Sequence, residues 1–412
     1  MTPGRRRAPY TYPPLSRRRL LRLGVGSIGG LSLGALLSAC ADDAPSGVPF
    51  EGSPAGVVNV ANRPALIDRV QDGNGEYHEP SLERFRQETQ IAVNYRPVIE
   101  DQAAFVASIE PYLAAREPTG WDVLVLTNGP TLTRILELDY LAELPDDRRP
   151  NFDRFAAPAV RDPGFDPGNR FTMAWQADVA GIAFDPRQTK RAITSVRDLF
   201  GREFAGNAGL IGDLADLPNV ALVAAGVPPE TSTPDDWSSA ASIVAQKIAD
   251  RSARTSTRAG AIEALARGDL ALTMARASDV FPLNPLGLAD GIQFAFPEEG
   301  GLLWIDNMVV PRGAQHEVDA ITLMDFVYGP PIAAMISAEI ARLAPVPSAR
   351  EEVLRLSTEA PPDRAERLRA IAESPLVFPA PEVLAACHGA RIIASGEESD
   401  EWQRIWSRFV ES

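Results

Sequence analysis

The stretch PEEGGLLWIDNM, residues 297–308, places an aromatic ring and a carboxylate two positions apart. Side chains at positions i and i+2 of a β-strand point to the same face, so Trp304 and Asp306 are expected to face the same way. A tryptophan ring attracts a cation by roughly 0.5–2 kcal/mol, and a hydrogen bond to a charged carboxylate contributes about 1.5–3 kcal/mol. Gly300 and Gly301 permit a bulge or a turn where the strand begins and present no side chain to block the approach. The pair suits an amine; the alternative is a core tryptophan beside a capping or ion-paired aspartate.

A second pair of carboxylates, Asp213 and Asp216, lies at the predicted start of a helix. Residues three apart share one helical face, so the two carboxylates are expected to point the same way. The alternative is a capping role, because Asp-x-x-Asp at a helix start is stabilised by the helix dipole. If the chain were a periplasmic enzyme, these two acids would be its candidate catalytic pair.

Motifs for catalysis and for metal binding are missing from the sequence. The three histidines, His78, His316 and His388, lie far apart, and no HExxH motif, P-loop or GxSxG nucleophile elbow occurs. A GxGxxG match at residues 24–29 falls inside an N-terminal export segment with no strand before it, so we do not interpret it as a nucleotide site. The sequence predicts no catalytic residue, no metal and no cofactor.

The composition is that of a globular protein, because 45% of the side chains are hydrophobic and can form a large core. The length of 412 residues is enough for two or three domains of typical size. The formal net charge is -15, but seven arginines and no acids fall within residues 1–39. The remaining chain has 33 basic and 55 acidic residues, a formal charge of -22. This balance argues against nucleic acid as a partner and is compatible with a cationic ligand.

The N-terminal residues 1–39 are predicted to be an export signal outside the fold. Within them, SRRRLLR at 16–22 resembles the twin-arginine export motif, although the Sec route stays open. The following LSAC at 37–40 resembles a bacterial lipobox, which makes Cys40 the predicted lipidated first residue of the mature protein. Residues 40–55 are rich in Pro, Gly, Ser and Asp and are predicted to be a flexible tether. The protein is therefore expected at the outer face of the cell membrane.

A membrane-spanning anchor is the alternative for this segment. The run from Leu20 to Ala39 is interrupted by Arg22 and is rich in Gly and Ser, which favours a cleaved signal instead. Once Cys40 is lipidated, Cys387 is the one remaining cysteine, so no intrachain disulfide is expected.

Predicted strands and helices alternate along the chain, beginning with a strand at 57–60 and a helix capped by Ser81. The alternation restarts after a Pro-rich stretch at 146–169, with predicted strands at 171–174 and 179–184. Such β-α alternation predicts an α/β fold of two lobes, each a mostly parallel sheet covered by helices, with ligand-binding loops at the strand ends.

Several strings occur in the order found in one known family. They are FDPGNRFTMAWQADVAGIAFD at 165–185, PEEGGLLWIDNMVVPRGA at 297–314, MDFVYGPPIAAMI at 324–336 and SPLVFP at 374–379. With the tether and the two lobes, they make the chain resemble the spermidine/putrescine-binding proteins of ABC importers, from about Val57 to the C-terminus. The resemblance implies a type II periplasmic-binding-protein fold whose lobes are joined by crossing hinge strands and close over a small-molecule solute.

The resemblance also implies the domain boundaries and the partners. Lobe 1 is expected to comprise 56–175 with 305–352, and lobe 2 to comprise 176–304 with 353–412. The implied partners are a small-molecule solute, which is a polyamine or an amine-containing zwitterion, an ABC permease, and the membrane through the lipid on Cys40. We expect a monomer.

In that family the Trp and Asp of the second crossover stack on and pair with a ligand amine, and they correspond to Trp304 and Asp306. The family also uses acids at the start of a lobe-two helix, so the resemblance implies that Asp213 and Asp216 bind the ligand as well. The family's other aromatic positions are changed. Arg63, Arg276 and Arg342 stand where the family has aromatic residues, while Thr127 keeps a hydroxyl where the family has Ser or Thr. An arginine repels a polycation, yet its planar fork binds carboxylate or phosphate at two points.

Three interpretations of these arginines stay open. The solute carries both an amine and an anionic group, or is simply anionic; or the arginines pair with Asp213 and Asp216 and neutralise the cleft; or they are surface residues. The neutralised cleft also suits a different function, a scaffold or signalling lipoprotein that has lost ligand binding.

Overall fold

The computed structural model describes residues 56–71, 74–284, 291–393 and 396–410. The predicted signal peptide at 1–39, with its twin-arginine motif and lipobox, lies outside the described residues, as do Cys40 and the tether. Export and lipidation therefore stay predictions from the sequence.

Among the described residues, nine strands form one sheet with β10 attached at the side, in the order β4-β1-β5-β11-β6-β9-β7-β8, and β2 and β3 form a separate hairpin-like pair. The strands are β1 Val57–Asn62, β2 Val70–Gln71, β3 Tyr77–His78, β4 Ala92–Pro97, β5 Val123–Thr127, β6 Met173–Phe184, β7 Ala208–Ile211, β8 Ala253–Ser256, β9 Leu272–Arg276, β10 Gln293–Ala295 and β11 Leu302–Val309.

The two ends of the sheet are parallel and its centre is antiparallel. β1 pairs in parallel with β4 and β5 at one end, and β7 pairs in parallel with β8 and β9 at the other. The antiparallel strands β6 and β11 lie between these two parallel parts and join them. This arrangement confirms the predicted α/β fold. The two mostly parallel sheets that were expected are the two parallel ends of one continuous sheet, and we use the name parallel sheets for these two ends.

Helices cover both parallel parts of the sheet. In the described part of the chain the α-helices α1 to α15 are Pro80–Thr89, Gln102–Ala115, Pro130–Glu137, Pro150–Phe155, Pro186–Thr189, Asp216–Ala225, Pro234–Ala249, Arg258–Arg267, Ala277–Val280, Glu317–Phe326, Pro330–Ile340, Ala349–Glu359, Pro362–Glu373, Pro381–Ala385 and Glu397–Trp406. No single described helix is long and apolar enough to cross a membrane; α10 and α11 meet that test only as a pair bent by 77°.

Two main hydrophobic clusters form the core, and each includes a different part of the crossing strands β6 and β11. Phe85 and Tyr328 belong to the first, and Trp237 and Trp406 belong to the second. Helices α12 and α13 contribute side chains to the first cluster, although the sequence analysis placed everything from 353 onwards in lobe 2. The lobe boundaries stay a prediction, and these contacts favour moving 353–377 into lobe 1.

Two local predictions were wrong. The strand β6 runs through Trp175 without a break, because the ring is buried and its Nε1–H donates to the Leu66 carbonyl. Helix α1 begins at Pro80 with Glu79 as its N-cap, so Ser81 is inside the helix. There its N–H and Oγ–H both donate to Asp68, at 2.8 and 2.5 Å.

Candidate functional site

The predicted site residues lie where strands of both parallel sheets end. Arg63 follows β1, Thr127 is the last residue of β5 and Arg276 is the last residue of β9, while Asp213 lies two residues beyond β7. The carboxyl ends of neighbouring parallel strands meet at one edge of a sheet, which is where α/β proteins bind ligands. These four residues and Trp304 line a cavity of about 530 Å³.

A second cavity, of about 610 Å³, adjoins the first and shares Asn128, Arg391 and Ile392 with it. It is lined by Leu303 and Ile305, the alternate residues of β11, and so lies along the opposite face of that strand. We call the cavity that contains Trp304 the arginine cavity.

Trp304 and Asp306 share one face of β11. Their partners on β6 are Asp178 and Gln176, and Asp306 is also opposite Thr127 on β5. Trp304 lines the arginine cavity, whereas Asp306 is buried behind the cavity wall.

Asp306 is held by a hydroxyl and a guanidinium from neighbouring strands. The Thr127 hydroxyl donates to Asp306 Oδ1 at 2.5 Å, and Arg63 Nη1 lies 3.2 Å from the same oxygen. Arg63 Nη1 also lies 2.9 Å from Thr127 Oγ1. The strands meet in the order β1-β5-β11, so three residues that are distant in the chain form one hydrogen-bonded group.

Asp216 is the carboxylate of a second arginine group. Arg276 Nη2 lies 3.3 Å from both of its oxygens, and Arg258 Nη2 lies 2.9 Å from Oδ2. The Arg276 guanidinium also lies over the Trp304 ring, 5.0 Å from its centre. Burial by itself raises the pKa of Asp216, but the charges of Arg276 and Arg258 outweigh burial, so that its pKa lies below the ordinary value.

Asp213 caps helix α6. Its Oδ1 accepts hydrogen bonds from the N–H groups of Ala215 and Asp216, at 3.0 and 2.6 Å. Burial, and then the charge of Asp216, raise the pKa of Asp213. The capping role considered for this position is thus present, and a ligand contact by Asp213 stays a prediction.

Arg342 is the third predicted arginine and lies between the two crossing strands. Its Nη1 is 3.7 Å from Asp306 Oδ2 and 3.9 Å from Asp178 Oδ2. Asp178 is fully buried on β6, and it accepts hydrogen bonds from the Ser278 N–H and hydroxyl, at 3.2 and 2.5 Å. Burial raises the pKa of Asp178.

Sequence reasoning missed Asp178 and Arg258. Asp178 had a signal, because it is the one charged residue in the mostly apolar strand MAWQADVAGIAF. Arg258 had none, since an arginine in the first turn of a helix is ordinary and its contact with Asp216 depends on how β7 and β8 pair.

The arginines do pair with aspartates, as one of the three interpretations expected, but only one of them pairs with an expected partner. Arg276 pairs with Asp216 as expected, but Arg63 and Arg342 lie next to Asp306 instead of Asp213 or Asp216. The surface interpretation is wrong for Arg276 and Arg342, whose side chains are 11% and 26% exposed, whereas the side chain of Arg63 is 35% exposed and lies on the wall of the arginine cavity. Formal charges within the group balance, since four arginines stand beside four aspartates: Arg63, Arg258, Arg276 and Arg342, and Asp178, Asp213, Asp216 and Asp306.

Comparison with known proteins shows the family to which the chain belongs. Residues 81–362 match the family model described as bacterial extracellular solute-binding protein. The spermidine/putrescine-binding periplasmic protein of Escherichia coli K12 is 25% identical over 279 residues, which is 67% of this chain and 77% of that protein. The putrescine/agmatine-binding protein of Pseudomonas aeruginosa PAO1 is 23% identical over 311 residues, covering 70% and 78%.

Solved structures show the same fold. The spermidine/putrescine ABC transporter substrate-binding protein PotD of Streptococcus pneumoniae superposes with a TM-score of 0.67 at 16% identity, covering 86% of this chain and 98% of PotD. The TpPotD lipoprotein of Treponema pallidum gives 0.64 at 15% identity, covering 86% and 99%. Because the family match spans more than half of the sequence, the chain belongs to the bacterial extracellular solute-binding protein family.

Proposed function

We propose that the chain is the solute-binding component of an ABC importer, that it works at the outer face of the cell membrane, and that its solute is anionic or zwitterionic instead of a polyamine. The importer role is supported by the family match, by relatives named as spermidine/putrescine-binding periplasmic proteins, and by a structural neighbour named as an ABC transporter substrate-binding protein. Those relatives are named for spermidine, putrescine or agmatine, so the solute proposed for this chain departs from theirs.

One observation supports a solute other than a polyamine: the groups that would attract a cation already bind the chain's own guanidinium groups. Arg276 covers the Trp304 ring and pairs with Asp216, and Arg63 pairs with Asp306. A polyamine would have to displace these guanidinium groups and leave their charges unpaired in a partly buried cavity, which is costly.

The helix ends favour an anionic group. Helices α2, α3 and α6 all begin at the arginine cavity, where Gln102, Pro130 and Ala215 are among the lining residues. A helix N-terminus carries a partial positive charge and N–H groups without partners within the helix, so it favours anions. The chain's own carboxylates already accept at two of these ends, Asp101 at α2 and Asp213 at α6. The end of α3 and the guanidinium groups remain to suit a carboxylate or another oxyanion of the solute.

The arginine cavity retains acceptors for one amine. Glu100 and Asp213 both line it, and the carboxylate of Asp213 is one-third exposed. The side chain of Arg63 makes its described contacts through Nη1 and lies on the cavity wall, so a solute carboxylate can approach its guanidinium. A solute with a carboxylate near Arg63 and an ammonium near Asp213 would touch both parallel sheets.

Lobe closure would follow from this bridging. A solute shifts the equilibrium towards the closed form only by its differential affinity for that form, and contacts from both lobes provide such a difference. A permease that recognises the closed form, with the protein held nearby by a lipid on Cys40, would complete the importer.

The test is a thermal-shift screen of the purified chain against amino acids, dicarboxylates and phosphonates, with putrescine and spermidine as the competing class. Saturation at about 100 times Kd stabilises the fold by roughly 2.7 kcal/mol, which raises Tm by several degrees. We expect shifts with anionic or zwitterionic solutes only, lost in Arg63→Ala and retained in Arg84→Ala, whose arginine pairs with Glu88 on the surface. A polyamine shift would overturn the proposed solute, and no shift with any class would favour a scaffold that does not bind ligands.

A further inference from the structure

We infer that Arg276 is a built-in occupant of a cation-binding seat, and that it determines specificity by excluding organic cations from a site that is otherwise complete. The seat consists of the Trp304 ring and the carboxylate of Asp216. The inference rests on the proposed function only in taking the arginine cavity as the solute site.

The seat has the two components that bind an organic cation in proteins. The face of a tryptophan ring attracts a cation, most strongly where water is excluded, and a buried carboxylate provides the opposite charge. The Asp216 side chain is 1% exposed, and a single guanidinium, that of Arg276, lies over the Trp304 ring and against both oxygens of Asp216, so the ring and the carboxylate are placed to hold one cation between them.

The sheet explains how Arg276 reaches this seat. Arg276 is the last residue of β9 and lies opposite Ala180 on β6, and Ala180 lies opposite Leu302 on β11. Trp304 is two residues beyond Leu302, so it shares that face of the sheet. The small side chain of Ala180 leaves room for Arg276 to extend across β6 to the ring.

Arg276 fills the seat completely. Its guanidinium lies 5.0 Å from the centre of the Trp304 ring and 3.3 Å from both oxygens of Asp216, and only 11% of the side chain is exposed. Its backbone N–H donates to Asp279 Oδ2 at 2.9 Å, which fixes the base of the side chain at the start of α9. A free cation could take this position only after Arg276 had left it.

Arg258 provides a matched comparison. It lies closer to Asp216, at 2.9 Å, but in the described residues the guanidinium over the Trp304 ring is that of Arg276. Removing Arg258 therefore frees part of the carboxylate and leaves the seat occupied, whereas removing Arg276 frees both the ring and the carboxylate.

The experiment is calorimetric titration of wild type, Arg276→Ala and Arg258→Ala with N-ethylguanidinium, a cation that replaces the atoms missing from Arg276→Ala. We expect Arg276→Ala to bind it at least roughly tenfold more tightly than the other two proteins do. The neutral isostere N-ethylurea should not bind. A folded Arg276→Ala that binds the cation no better than wild type overturns the inference.

A second variant covers the case in which Arg276→Ala does not fold. Arg276→Met keeps an apolar stem against the ring and removes the charge. Millimolar guanidinium should then raise the Tm of Arg276→Met above its value in equal potassium chloride, and an unchanged Tm would overturn the inference. If wild type binds no anionic solute but either Arg276 variant binds the cation, the proposed solute is wrong and the inference stands. If wild type binds an anionic solute but neither variant binds the cation, the inference alone is wrong.

Discussion

The guanidinium of Arg63 lies 3.2 Å from the carboxylate of Asp306, although 243 positions separate the two residues in the chain. Asp306 is on the crossing strand β11, and Arg63 follows the first strand of the fold. The contact therefore ties the start of the described chain to the strand that connects the two parallel sheets.

Arg63→Ala is expected to lower the free energy of unfolding by about 1–2 kcal/mol, because Asp306 is buried and loses its nearest cation. The loss stays below that of a fully broken buried pair because Thr127 and Arg342 still contact Asp306. Urea denaturation measures it. Arg84→Ala is the control; its arginine pairs with Glu88 on the exposed face of α1, and we expect a change below about 0.5 kcal/mol. Equal losses in the two variants would contradict a structural role for the Arg63 contact.

Gly300→Ala is expected to destabilise the fold by more than about 2 kcal/mol. Gly300 has φ +96°, which L side chains rarely adopt, and a Cβ there would lie 2.0 Å from the Ala386 carbonyl oxygen. Gly120→Ala separates the two causes, since Gly120 has φ +86° and open space around it. Thermal denaturation should show the smaller loss for Gly120→Ala, and an equal loss would mean that crowding against Ala386 contributes nothing.

Asp68 should make the fold less stable as the pH rises from about 4 to about 6. Burial raises the pKa of Asp68 from 3.8 to about 6, against the opposing effect of its hydrogen bonds with Ser81. Between these two pH values the folded chain keeps a proton that the unfolded chain has released. The contribution of the protonated Asp68 to the free energy of unfolding is therefore complete below about pH 4 and is lost as the pH rises through about 6. The size of the change is at most about 3 kcal/mol.

Asp68→Asn should remove this slope and stabilise the protein at neutral pH, because an amide can keep both contacts with Ser81 without carrying a charge. Urea denaturation at a series of pH values measures the slope. Asp236→Asn is the control. Hydrogen bonds from Thr233 lower the pKa of Asp236, so the contribution of Asp236 to stability is lost as the pH falls, which is the opposite pH dependence to that of Asp68. An Asp68→Asn protein that keeps the wild-type slope would show that another group is responsible.

The Cys387 thiol is expected to react slowly with a disulfide reagent. Burial raises the pKa of Cys387 from 9.0 to about 11, so the reactive thiolate at about pH 8 is roughly a hundredfold scarcer than in an ordinary thiol. The measurement uses a Cys40→Ser chain, in which Cys387 is the sole cysteine, and compares native protein with protein in concentrated guanidinium chloride. A native thiol that reacts as fast as the denatured one would contradict this prediction.

The sequence by itself determined the local elements and the family. The alternation of side chains in LLWID was enough to place Trp304 and Asp306 on one face, and repeated β-α segments were enough to predict two lobes with mostly parallel sheets. The crossing strands between them were implied by the family resemblance. Strand faces and helix faces depend on residues that are close together in the chain, because the backbone geometry of a strand or helix fixes the directions of successive side chains.

Only the tertiary structure decided which charges meet. The positions of Arg63, Arg276 and Arg342 were visible in the sequence, but their partners depend on strand order, which brings β1, β5 and β11 side by side and places Asp178 on β6 next to Trp304 on β11. The same cause hid Arg258 from sequence reasoning, and it decided which side chains contact Asp178. A long side chain pairs with whichever opposite charge the packed sheet brings within reach, and that choice belongs to contacts between residues far apart in the chain.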